Sequence, residues 1–203
     1  MRPWEYHPDM SEERLSAVAS LLASGRGTAL DRHDPAIGCD GWTLGVEAFN
    51  FGRHRINAAE GTPGFEWLSV PDPSRRLQFR MGDVPMRFYR GLASDPTPRM
   101  LADAPLEMEQ YALPLGAAAL LDGCKFRIAV ETDEDGGIVQ ISFVAIRGHS
   151  VETIWPIPYR SAGPVLAGLG AELPEGRELP APRIESLTDR HEDDGQRLAP
   201  LRS

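Results

Sequence analysis

Arg76-Leu77-Gln78-Phe79-Arg80-Met81-Gly82-Asp83-Val84-Pro85-Met86-Arg87-Phe88-Tyr89-Arg90 is the stretch on which the fold turns. Two alternating runs flank Gly82-Asp83, and glycine at the first central position suits a type II′ hairpin turn. With those two residues as the loop, Met81 faces Val84, Phe79 faces Met86 and Leu77 faces Phe88, so one side of the ribbon is wholly apolar. The other side sets Arg80 beside Pro85, Gln78 beside Arg87 and Arg76 beside Tyr89. A slip of one residue would mix the two sets, so the pattern specifies its own register. In this register Pro85 falls in a non-hydrogen-bonded pair and its missing N–H points away from the hairpin partner, which predicts a sheet edge there.

On the N-terminal side, Ser11 caps a predicted helix with Glu12 and Glu13 in its first turn and Leu15, Val18, Leu21 and Leu22 at helical spacing, ending before Gly25 and Gly27. Asp40 caps a second helix with the stripe Trp42, Val46, Phe49, Arg53 and Ile56, although Trp42, Leu44, Val46 and Ala48 also alternate as a strand would. Phe65 to Val70 reads as a strand stopped by Pro71. On the C-terminal side, Pro105 opens a helix carrying Leu106, Met108, Glu109 and Tyr111, and Pro114 to Leu121 suggests another. Phe126–Glu131, Ile138–Ile146 and Val151–Ile157, joined by short loops, predict a three-stranded antiparallel meander.

The fold expected is therefore α+β, an antiparallel sheet of about five or six strands (hairpin 76–90, meander 126–157) with helices packed on one face. It forms a single domain over residues 1–170. From Ala171 the chain is mostly proline, glycine, acid and arginine, too poor in apolar area to offset the entropy of ordering, so 171–203 is expected as an extended or disordered acidic arm.

The 203 residues carry 21 Lys+Arg against 30 Asp+Glu, a net charge of -9, and a surface of that sign repels polyanions as a whole. Any nucleic-acid role is therefore local. The one basic region is 51–99, with 8 basic against 5 acidic groups, and it contains the hairpin. All but one of the basic residues are arginine, and the single lysine, Lys125, lies in no Gly-Lys-Ser/Thr loop, which excludes P-loop ATP hydrolysis. Dinucleotide, nucleophile-elbow and zincin signatures are absent, and Cys39 and Cys124 form no paired motif that would bind zinc. No metal and no cofactor is predicted. No apolar run approaches the roughly 18 residues that span a bilayer, and no signal segment opens the chain. A cytoplasmic protein with no membrane role is expected.

Three function classes follow. The first is a non-catalytic interaction or accessory protein that binds a protein partner or self-associates, through the Pro85 edge and the aromatic pair Trp155 and Tyr159. A second is a nucleic-acid or anionic-ligand binder using Arg76, Arg80, Arg87, Tyr89 and Arg90, because guanidinium forks grip phosphate or carboxylate and a tyrosine ring stacks beside them. Last is a hydrolase or nuclease centred on Glu47 and His54, which share a face of the second predicted helix with Asn50 and Asn57.

Overall fold

The computed structural model describes residues 1–112 and 123–160. The helix predicted over 114–121 and the arm predicted over 171–203 lie outside them.

The elements run α1 (Pro3–Tyr6), α2 (Glu12–Arg32), α3 (Gly41–Ala59), β1 (Leu68–Asp72), β2 (Gln78–Met81), β3 (Val84–Arg90), α4 (Pro98–Leu101), α5 (Pro105–Ala112), β4 (Cys124–Thr132), β5 (Ile138–Arg147) and β6 (Ser150–Pro156). The strands make one sheet in the order β1-β2-β3-β4-β5-β6. The architecture is α+β, as expected. The sheet is mixed, however: β3 and β4 run parallel, from Met86 beside Phe126 to Arg90 beside Val130, while the other neighbours are antiparallel. A parallel step needs a crossover rather than a hairpin, and α4 and α5 lie in that connection.

The hairpin register is the expected one, with Met81 opposite Val84, Arg80 opposite Pro85 and Phe79 opposite Met86. The edge assignment is corrected: β3 lies inside the sheet and Pro85 is buried, whereas β1 and β6 are the outer strands. Pro85 is tolerated because its pairing with β4 begins one residue later, at Met86, so the missing donor falls just beyond the ladder. The proline that does sit on an edge strand is Pro71, where the pairing of β1 with β2 shifts between Ser69 and Asp72.

Side chains alternate across this sheet, so it has two faces. Phe79, Met81, Met86, Phe126, Ile128, Phe143 and Ala145 point to one and form the main core with Leu15, Val18 and Leu22 of α2 and Ile56 of α3. α1 closes its end, where the Tyr6 hydroxyl meets Thr153 Oγ1 at 2.7 Å and Trp4 packs edge-on against Trp155, with ring centroids 5.4 Å apart. The second face was expected to be open and is not: Tyr89, Ala129, Val144 and Ile146 are buried with Met100 of α4. Helical segments therefore cover both faces, and the polar side of the hairpin becomes an interface.

The starts of α2 and α3 follow the sequence. Ser11 Oγ accepts from the Arg14 amide, and Asp40 and Thr43 form a reciprocal capping box. The end of α2 does not. It continues through Gly25 and Gly27 to Arg32 because Gly25 is a packing residue: a Cβ placed there would lie 2.6 Å from the amide nitrogen of Gly52 on α3. The glycine is required by helix contact rather than by helix termination.

The hairpin turn is held from outside. Asp9 accepts from the Arg14 guanidinium at 2.6 Å and from the Asp83 amide at 3.1 Å. Gly82 has φ +58°, and a Cβ there would lie 2.1 Å from the Asp9 carboxylate, so only glycine admits this contact. Burial works against the Asp9 charge, but Arg14 and the Asp83 amide outweigh it and hold the carboxyl below its ordinary value of 3.8. A lowered folded-state value means that the stabilisation is present above the unfolded value and lost as the pH falls through the folded one. Asp9→Asn is therefore expected to cost about 1 kcal/mol near neutrality and to flatten the acid limb of stability. Urea midpoints measured from pH 6 to below pH 4 check this, and parallel curves for the two proteins would refute it.

Among the described residues, no helix is long and apolar enough to cross a membrane.

Candidate functional site

Beyond the Phe79–Met86 pair the two hairpin strands separate. β2 begins at Gln78, so the expected pairings of Gln78 with Arg87, Leu77 with Phe88 and Arg76 with Tyr89 do not form. Gln78 instead pairs with Asp72 of β1. β3 continues along β4 as far as Arg90. By ladder alternation, the Phe88 and Arg90 amides face the gap that β2 leaves, while the Gly91 amide bonds Val130 on the other side at 3.1 Å.

A cleft of about 730 Å³ occupies that gap. β3 and the residues before β2 supply Arg75, Arg76, Arg87, Phe88, Tyr89 and Arg90. α3 supplies Trp42, Gly45, Val46, Phe49 and Asn50, which follow the spacing of one helical face. The crossover adds Thr97, Arg99 and Met100. Phe49 and Phe88, with centroids 5.1 Å apart, tie the helical wall to the strand wall. Trp42 is 72% exposed at the α3 wall, where burial would be usual for so large an apolar side chain.

The charge of this cleft is one-sided. Among the described residues five arginines line it and no acid does, and none of those five guanidinium groups makes a salt bridge. A second hollow of about 310 Å³ shares Arg76, Arg87 and Arg99 with it and holds Asp103 at its far side, although that carboxylate is engaged by Lys125 at 3.1 Å. The nearest buried acid, Glu107, is consumed by Arg127. Burial lowers the Arg87 pKa from the arginine value, the Arg127 charge lowers it further, and Arg99 and Arg76 add to this against the opposing effect of Glu107. Tyr89 is pushed up to about 12, first by burial and then by Glu131, and its hydroxyl donates to the Leu92 carbonyl at 3.0 Å. It is a neutral ring and a structural donor rather than a base.

Of the residues singled out from the sequence, Arg76, Arg87, Tyr89 and Arg90 converge on the cleft, whereas Arg80 does not line it. The Arg80 Nε is buried without a hydrogen-bond partner among the described residues. Glu47 and His54 lie on α3 about two turns apart; they line neither hollow, and no hydrogen bond or ion pair joins them. Trp155 is half-buried against Trp4, and Tyr159 packs on the main core. Among the described residues, no three His, Cys, Asp or Glu side chains group to hold a metal ion.

The sequence reading missed Arg99 and Trp42. The first lies in the crossover, remote from the hairpin. The second belonged to an apolar stripe that periodicity assigns to a core, and no signal in the sequence marked it as exposed. No protein-family model, no curated protein and no solved structure matches the chain.

Proposed function

We propose that this protein is a non-catalytic binder of a small organic anion, one carrying a flat ring and more than one negative group, as a nucleotide does. The observation that supports this most is the lining of a cleft that holds, among the described residues, five arginines and no acid, with an exposed tryptophan at its helical wall. Guanidinium forks match phosphate and carboxylate oxygens, and an indole face stacks on a ring. The size falls within the range of small-molecule sites, about 300–1,000 Å³. The acidity of the rest of the chain, net -9, disfavours a long polyanion and so argues for a small ligand over nucleic acid. The interaction-protein alternative is left with less support, since Pro85 is interior and Trp155 and Tyr159 are engaged in packing.

The test titrates ATP, adenosine and tripolyphosphate into the protein at low ionic strength, following tryptophan fluorescence with Trp42→Phe as the reporter control. ATP is expected to bind more tightly than either fragment, with an affinity that falls as salt rises. Arg87→Ala should weaken it about 10- to 100-fold, the usual effect of losing a charge-assisted hydrogen bond. The absence of a saturable response to all three compounds at millimolar concentration would end this reading.

A further inference from the structure

Behind the cleft lies a smaller hole of about 50 Å³, lined in part by Arg26, Gly45, Phe49, Phe88 and Arg90. It shares Gly45, Phe49, Phe88, Tyr89 and Arg90 with the cleft, so the two are contiguous. Its capacity is several times what one water requires, about 10–15 Å³. Arg26, from the middle of α2, is only 4% exposed. Its Nε donates to the Gly136 carbonyl at 2.7 Å, which fixes the side chain, yet its Nη2 is buried with no hydrogen-bond partner among the described residues.

A buried guanidinium with an idle donor is costly, and the surroundings do not relieve it. The Arg26 pKa is held below the usual arginine range first by burial and then by the charge of Arg90. Asp133 opposes this from the β4–β5 turn, where its Oδ1 accepts from the Gly137 amide at 2.7 Å, but among the described residues it forms no salt bridge with Arg26. The Arg90 guanidinium lies against Gly45, where an added Cβ would approach its Nη1 to 3.3 Å. Two arginines of like charge thus border a hole whose other walls are largely apolar, an arrangement that a small negative group would satisfy.

We infer that this hole is an oxyanion subsite: a carboxylate or phosphoryl group enters between Arg26 and Arg90, accepting from the unpartnered Arg26 Nη2. The inference deepens the reading of the cleft as an anion site and rests on it for the remainder of the ligand, whose terminal group would reach this floor. The subsite also has a direct readout, because a free small anion can occupy it without the rest of the molecule.

The experiment records the NMR shifts of the Arg26 side-chain Nε–H and the Gly136 amide, neither of which lines the cleft, in the full chain while sodium acetate or sodium phosphate is added at constant ionic strength. Saturable shifts are expected with at least one anion, and the tighter of the two identifies the group as carboxylate or phosphoryl. Arg87→Ala, which alters the cleft but not the hole, should retain the response. Arg26→Met should abolish it, and Arg90→Met, at an exposed residue and so a safeguard against misfolding at position 26, should weaken it about tenfold or more. Linear, non-saturating shifts would mean that the hole holds only water and would overturn the proposal. So would a saturable response that survives both Arg26→Met and Arg90→Met. Saturation by acetate or phosphate together with failure of ATP to bind would keep the subsite and remove the nucleotide-like reading, whereas ATP binding that is sensitive to Arg87→Ala but not to Arg26→Met would do the reverse.

Discussion

Glu107→Ala is expected to lower the stability of the fold by about 3–5 kcal/mol, because it leaves a buried guanidinium without the carboxylate that pairs it. Arg127 is fully buried and Glu107 nearly so. The pair is bidentate: Nη1 donates to Oε1, and Nη2 donates to Oε2 at 3.1 Å. The same guanidinium donates to the Met100 carbonyl at 3.1 Å and the Phe126 carbonyl at 2.9 Å, while Glu107 accepts from the Ala104 amide at 2.7 Å. One ion pair thus clamps the crossover onto the second sheet face. Replacing both partners by apolar residues of similar volume, Arg127→Met with Glu107→Leu, should recover much of the loss, since the desolvation of two charges disappears with them. Urea unfolding of the single and double variants measures the difference. A loss below about 1 kcal/mol for Glu107→Ala would show that the crossover is held by something else. Because Arg99 and Met100 reach the cleft from that crossover, the single variant should also weaken ATP binding, giving the clamp a functional readout.

Gly25→Ala should cost about 3 kcal/mol, at the upper end of the range for overpacking, even though alanine is the better helix former. The added methyl would lie 2.6 Å from the Gly52 nitrogen and 2.9 Å from its Cα, and backbone cannot rotate aside as a side chain can. α2 and α3 would have to move apart, disturbing the packing of Leu22 and Phe88 around Gly52. Gly27→Ala is the internal control. Nothing lies within 4 Å of a Cβ at that position, so the same chemical change should raise stability by about 0.5–1 kcal/mol. Thermal midpoints moving in opposite directions for two substitutions in the same helix would establish the contact, while equal shifts would refute it.

These two cases mark how far local reading carries. The caps at Ser11 and Asp40, where a side chain satisfies backbone three residues on, and the turn at Gly82, where the alternation of adjacent residues sets the register, are short-range features, and all three stand where the sequence places them. Gly25 looks like a helix end because its role depends on Gly52, a residue on another helix. The arginine face was legible as composition but not as shape. Arg76, Arg87 and Arg90 could be grouped from the hairpin alone, while Arg99 and Trp42 reach the same cleft from the crossover and from α3.

The sequence by itself determined the register next to the hairpin turn, the starts of α2 and α3 and the α+β character, because alternation and capping are interactions between neighbours along the chain. Tertiary structure decided that β3 is interior, that the second face is covered, and which arginine is neutralised and which is left uncompensated. Arg127 and Arg87 both lie on that face of adjacent strands, and their different fates follow from where Glu107 is delivered by a connection between them. Charge compensation in a fold is set by distance in space, and periodicity along the chain carries no record of it.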